Sequence, residues 1–238
     1  MFALYKKELS YYFNNPVGYI VVVLFAAFAN FLYVKDIFVV GSASMRPFFT
    51  LIPWLMMVFV PALTMRTLSE EKRTNTIETL LTLPISETQV VLAKLGAVAT
   101  VVLVGLLLTI GLPISLYAIT SVTFGKVYLP EIFVGYIGVF LMSLVFISLS
   151  LFFSSLAKSQ VVAFMSSLIV LFFLVVLSQD FLASVLPSSI LEPLSYFSPV
   201  YHLENFVKGL VDIRAVTFFL SFTLLFTFLT IIDLEKRN

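Results

Sequence analysis

A chain of 238 residues that is 61% hydrophobic and only 11% charged cannot clothe a water-facing surface, because soluble domains carry about 25% charged residues. Its mean hydropathy is +1.10; the net charge of +1 says nothing about a partner, but the lack of a basic patch outside short loops argues against nucleic acid. With no cysteine and one histidine, the composition excludes disulfides, iron–sulfur ligation and thiolate zinc sites and disfavours a histidine-based metal centre.

The chain opens with Phe2, Tyr5, Leu9, Tyr12 and Phe13 at helical spacing, with Lys6, Lys7, Ser10 and Asn14 away from them. This pattern predicts an amphipathic helix over 2–13 lying in the membrane interface. Asn14-Asn15-Pro16 ends it, since a residue before proline is pushed out of the α region. Six apolar stretches then follow, at 17–34, 48–65, 95–119, 132–153, 161–177 and 216–232, none holding Asp, Glu, Lys, Arg or His. Each has the roughly 17–25 residues a membrane-crossing helix needs. The first resembles a secretory signal, with Lys6 and Lys7 before it and Ala27-Phe28-Ala29 as a small-residue site, but the run continues through Phe31 and Val34. Alternating polarity, the mark of a membrane β-barrel, is missing from segments such as 161–177. The expected fold is an all-α integral membrane domain of six transmembrane helices.

Placing the N-terminus in the cytoplasm puts nine Lys and Arg residues inside and five outside. That asymmetry favours both termini inside. The cytoplasmic loop 66–94 is the most informative stretch. Glu70, Glu71, Lys72 and Arg73 together would cost on the order of 10 kcal/mol at mid-membrane. Asn75 and Glu78 form a capping-box pattern ahead of a short half-apolar helix carrying Ile77, Leu80, Leu81 and Leu83, which stops near Pro84. Ser86-Glu87-Thr88-Gln89 is a second capping box, opening the third span. A helix too apolar for water and too short to span needs a surface to dock on, and these residues alone leave open whether that is its own bundle or a cytoplasmic partner. The other inside loop, 154–160, reads as a tight turn. Outside, 178–214 holds Pro187, Pro193 and Pro199 with apolar pieces such as Phe181–Leu186, which suit re-entrant or interfacial half-helices. His202 fits an interfacial hydrogen-bonding residue better than a metal ligand. Pro53, Pro61 and Pro113 favour kinks within spans, and Gly105, Gly111, Gly135 and Gly138 allow close helix packing.

Two absences bear on function. No Gly-x-x-x-x-Gly-Lys-Ser/Thr phosphate loop occurs, so the chain does not hydrolyse ATP by that route. The six apolar runs carry no ionisable residue of the kind proton and ion relays use, and neither a Ser/His/Asp set nor a His-Glu-x-x-His motif is present. Energy for uphill movement would come from another chain.

The N-terminal helix with Asn14-Asn15-Pro16, the run Leu63-Thr64-Met65-Arg66 into Ser69-Glu70-Glu71-Lys72-Arg73, and Thr76 through Ser86 resemble the ABC-2 type permeases. Tyr196 through His202, with Glu204-Asn205-Phe206, look like the gliding-motility-type branch of that family. Asn75 stands where members commonly have glycine, a change asparagine tolerates in turns. The resemblance implies an ABC-2 (type V) exporter-like permease fold in a prokaryotic inner or plasma membrane. It implies no cofactor on this chain, with ATP–Mg held by a separate cytoplasmic ABC ATPase. It also implies a second permease subunit, giving a homodimer or heterodimer, and allows an extracytoplasmic auxiliary protein. The loop 66–94 then carries the coupling helix. Arg66, Glu70, Glu71, Lys72, Arg73 and Glu78 would give the ATPase contact its polar specificity, and Ile77, Leu80, Leu81, Leu83 and Pro84 its buried area. Ser155 and Lys158, in 154–160, would form a second, smaller contact. A non-transporting membrane anchor or assembly factor, or an ion-coupled secondary carrier, are the alternatives.

Overall fold

The computed structural model describes residues 1–40, 44–74, 86–115, 129–179 and 187–236. Among these, every regular element is an α-helix. The readings of Asn75–Pro84, of 116–119 and of Phe181–Leu186 lie outside the described residues.

Helix α1 (Phe2–Asn14) ends on Asn15 in an extended conformation, and Pro16 opens α2 (Pro16–Val40). The turn is so tight that a Cβ on Gly18 would collide with the Tyr12 backbone, a position that only glycine fits. Helix α3 (Arg46–Thr64) has Pro47 in its first turn and Pro53 and Pro61 inside it. It gives way to the five-residue α4 (Ser69–Arg73). Ser86 caps α5 (Glu87–Thr109), its side chain accepting from the Gln89 amide at 3.3 Å as the capping pattern predicts. Then come α6 (Leu129–Leu156) and α7 (Gln160–Val176). Two nine-residue helices follow, α8 (Ser188–Tyr196) and α9 (Pro199–Val207), and finally α10 (Ile213–Glu235). Among the described residues, five helices combine the length and apolarity to cross a membrane, and Gln160–Val176 is a shorter apolar one. At about 1.5 Å per residue, the nine residues of α8 or α9 reach less than half way across the roughly 30 Å hydrocarbon core.

Helix α6 is the hub, packed against α3, α5, α7, α9 and α10. Its Val139, Met142, Val145, Phe146, Ile147 and Leu149 are fully enclosed. Lipid tails are as apolar as leucine, so helices associate in a membrane through close fit rather than escape from water. The fit is visible where α9 seats: a Cβ on Gly138 would overlap the Phe206 side chain, and one on Gly135 the Phe49 ring. Gly111, by contrast, has open space around it. Serines in the hub fold back on their own helix, Ser143 onto the Phe140 carbonyl and Ser148 onto that of Val145, which hides their hydroxyls from the apolar surroundings.

The two ends of the bundle differ. At one end, the Arg46 guanidinium meets Glu131 at 2.7 Å, beside Gly209 with its positive φ of 79°. There Ser198 caps α9 through the Val200 amide and donates to the Leu174 carbonyl of α7 at 2.6 Å. The opposite end gathers α1, α4, the start of α5 and the last turns of α6 and α10.

Candidate functional site

At the end that carries both termini, α3 stops in a way that leaves backbone groups for other helices to use. The Thr67 amide bonds the Thr64 carbonyl rather than reaching back a full turn, and the freed Leu63 carbonyl accepts from the buried Tyr12 hydroxyl at 3.0 Å. Tyr5 adds a hydroxyl contact to Thr100 of α5 at 2.8 Å, and Leu4 packs with Val90 and Ala93. Helix α1 is thereby fastened to α3 and α5 along Leu4, Tyr5, Glu8 and Tyr12, while Phe2 and Phe13 stay exposed.

Lys94 sits at the centre of this end. It is 1% exposed, and its ammonium donates to Glu8 Oε1 at 2.9 Å, Glu71 Oε1 at 2.8 Å and the Thr67 carbonyl at 2.9 Å. An ammonium has three donors, and all three are used. Desolvating a cation costs several kcal/mol unless counter-charges surround it. Here two carboxylates and a carbonyl at the negative end of α3 supply them. The triad draws α1, α4 and α5 to one point. A second pair, Lys72 Nζ to Asp233 Oδ2 at 3.2 Å, joins α4 to α10, with the lysine side chain only 3% exposed. Leu68, Val91 and Leu234 close an apolar patch between them.

The start of α4 lacks a cap of its own, for Leu68 has no side chain to supply one. Ser154, in the last turn of α6, fills that place by accepting from the Leu68 and Ser69 amides at 3.3 and 3.2 Å, satisfying donors that a helix start leaves open. So a helix of five residues is held by α5, α6 and α10 together.

Among the residues assigned to ATPase contact from the sequence, Ile77, Glu78, Leu80, Leu81, Leu83 and Pro84 lie outside the described residues. Glu71 and Lys72 are turned inward into the two ion pairs. Glu70 and Arg73 face outward as a loose pair at 3.8 Å. Arg66 is half-buried, with its Nε enclosed. Ser155 is buried and donates to the Phe152 carbonyl at 2.8 Å, whereas Lys158 is exposed in the adjoining turn. Outward-facing Glu70, Arg73 and Lys158 are therefore available to a partner; Glu71, Lys72 and Ser155 hold the bundle together.

The sequence gives no role to Glu8, Lys94 or Asp233, and it places Ser154 only within the 154–160 turn, not as the cap of another helix. Signals existed for two of them. Glu8 falls midway between Leu4 and Tyr12 at helical spacing, and Lys94 stands in line with Val90, Ala97, Val98 and Val101. A charge inside an apolar stripe demands a partner of opposite sign.

Between α1 and the α3–α4 turn lies a polar cleft of about 310 Å³, with Lys7, Tyr11, Arg66, Glu70 and Thr74 on its walls and the Lys94 triad at its base. Among the described residues, no group of three or more His, Cys, Asp or Glu is arranged to hold a metal ion.

Comparison with known families places residues 6–232 in the one described as ABC-2 family transporter protein. No curated protein matches the sequence. The match spans nearly the whole chain, the helices are those of a multi-pass membrane protein, and the family comprises non-catalytic subunits that pair with an ATPase: the chain belongs to the ABC-2 transporter family, as a membrane permease component of an ABC transporter.

Proposed function

We propose that this chain is the permease subunit of an ATP-driven ABC-2 machine in the cell membrane, with both termini cytoplasmic and a separate ABC ATPase docked on the loop 66–94. The observation that carries this reading is the anchoring of α4. That short helix leads directly into 75–85, and it is bound through Glu71 to Lys94 of α5, through Lys72 to Asp233 of α10, and through its own amides to Ser154 of α6. A push delivered just beyond Arg73 would pass into three long helices at once. Closure of the ATPase supplies the push at Ile77, Glu78, Leu80, Leu81, Leu83 and Pro84, with Glu70, Arg73 and Lys158 as polar contacts beside them. Arg66, Glu71, Lys72 and Ser155 act behind that surface by holding it in place. The bundle then converts the push into movement of a substrate, or of force, toward the opposite end.

A second permease subunit completes the machine. The exposed apolar residues Val161, Phe173, Leu224 and Phe228 on α7 and α10 suit lipid or that second subunit. The aromatic run Tyr196 through His202, which forms the junction of α8 and α9, supports a place in the gliding-motility-type branch, and an extracytoplasmic auxiliary protein would meet the machine at that end.

Charge reversal at Glu78 tests the reading. Glu78→Lys should leave membrane insertion intact while uncoupling ATP hydrolysis from transport by the intact assembly. Loss of insertion, or full coupling in the variant, would refute the assigned role.

A further inference from the structure

A cavity of about 570 Å³ lies between α5 and α6, toward the end of the bundle away from the termini. Its size falls within the roughly 300–1,000 Å³ of small-molecule sites. Local chemistry explains the space. The last turn of α5 tightens, with the Ile110 amide reaching only to the Leu107 carbonyl. Pro113 then has no N–H with which to continue the ladder, and Gly111 brings no side chain to a place where a Cβ would meet nothing. Leu103, Leu107 and Ile114 line the cavity from the α5 side, and Phe133, Ile137 and Leu141 from α6, with the buried Leu106 and Ile132 behind them.

Among the described residues, Tyr136 is the one lining residue with a polar side-chain atom, and that atom is engaged. The Thr109 hydroxyl spends its proton on the Leu106 carbonyl at 2.7 Å, so the Tyr136 hydroxyl donates to Thr109 across 2.9 Å. A polar ligand would lose its bonds to water on entering and find none in return. The dimensions exclude a helix as well. From Leu129 to Leu141, α6 rises about 18 Å, which gives the cavity a mean cross-section of about 30 Å². A helix about 10 Å across with its side chains needs about 80 Å². A single hydrocarbon chain fits that section, and about 18 Å is close to the depth of one leaflet, half of the roughly 30 Å core. Exposed Leu107, Ile114 and Phe133 open the cavity sideways to the bilayer, where such chains are found.

We propose that this cavity binds one acyl chain of a phospholipid from the leaflet at that end, seated between α5 and α6 beside the Thr109–Tyr136 bond. The chain supplies the packing that the two helices do not give each other there.

The test uses the full chain in phosphatidylcholine vesicles containing a trace of phosphatidylcholine with a diazirine on one acyl chain, crosslinked by light and mapped by mass spectrometry. Adducts on 103–114 and 129–141 should form about fivefold more often than at the comparably exposed Val161, Phe173, Leu224 and Phe228 of α7 and α10, because a chain between two walls makes more contacts than one lying on a single helix. Leu107→Trp, at a half-exposed position, should fill the cavity and bring that labelling down to the level of the other faces. Ile137→Trp should do the same from the opposite wall, which keeps the test decisive if one variant does not purify. Leu224→Trp should change nothing. A phosphatidylglycerol probe should label the same residues, since no charged group lines the cavity. Labelling no denser on α5 and α6 than elsewhere would overturn the proposal and leave only passing bilayer lipid. So would undiminished labelling in both filled variants. Labelling by one headgroup alone would replace the proposal with a polar site, and protection of this face from the probe would assign it to a second subunit. Labelling is read without ATP or an ATPase, so its failure leaves the proposed function standing, and the reverse also holds.

Discussion

Lys94 shows how a single side chain can decide the architecture of one end of a membrane bundle. Its three donors point to three different elements, Glu8 on α1, Glu71 on α4 and the carbonyl of Thr67 after α3. Removing the ammonium strands two carboxylates in a poorly solvated place, and breaking a buried pair in this way costs on the order of 3 kcal/mol. Lys94→Gln should therefore lower the thermal midpoint in detergent substantially. Lys94→Arg should fail to restore it, because a flat guanidinium cannot reach three acceptors arranged as a tripod. Thermal denaturation of both variants beside the parent checks this, and an unchanged midpoint in Lys94→Gln would remove the triad from any structural role. Counting hydrophobic runs leaves Lys94 just outside the third span, which opens at Leu95. Its register with Val90, Ala97 and Val101 carried the stronger signal. Ser154 was not legible at all, for nothing in a serine at the end of an apolar helix says that it caps a different helix.

At the level of whole elements, periodicity and capping chemistry located most of the helices, and they failed where tertiary contact does the ordering. Ser86 and Gln89 mark the start of α5 correctly because that cap is local. The amphipathic pattern of α1 was legible too, although the face that meets the bundle is Leu4, Tyr5, Glu8 and Tyr12, which leaves Phe2 and Phe13 outside. The seating of α9 could not be read from its nine residues, because it depends on Gly138 of α6 admitting Phe206. His202 contributes to that seating. Its ring stacks on Phe218 at a centroid distance of 4.0 Å, and its Nε2–H donates to the Tyr196 carbonyl at 2.9 Å. Burial holds the imidazole below its ordinary value of 6.5, against the opposing pull of that carbonyl and of Asp212. The unfolded chain then binds the proton more readily than the folded one, so stability is full above pH 6.5 and declines as pH falls from there toward the folded value. Thermal midpoints measured from pH 7.5 down to about 5 should fall in the parent chain. His202→Gln should flatten that segment of the profile, and an identical profile in the variant would show that another group governs it.

Across the whole molecule, the two ends are built on different principles, and this bears on which way the permease faces. The end with both termini is held by buried ion pairs, Lys94 with its two carboxylates and Lys72 with Asp233. The other relies on aromatic packing around Tyr33, Phe48, Phe49 and Tyr136 and on more exposed pairs, Arg46 with Glu131 and Lys208 with Glu204. Positive charge is concentrated at the first end, the distribution expected of a cytoplasmic face. Because the sequence has no cysteine, sidedness can be read with single introduced thiols and a membrane-impermeant maleimide. Lys158 and Lys236 at the first end and Lys208 at the second are all exposed, so replacing each should leave packing intact. Lys208→Cys should react in whole cells, while Lys158→Cys and Lys236→Cys should react only after the membrane is opened. Reaction of Lys158→Cys in intact cells would reverse the orientation. It would also put the segment after α4 out of reach of any cytoplasmic ATPase, since Ser154 binds the start of α4 from the same turn of α6 that leads to Lys158.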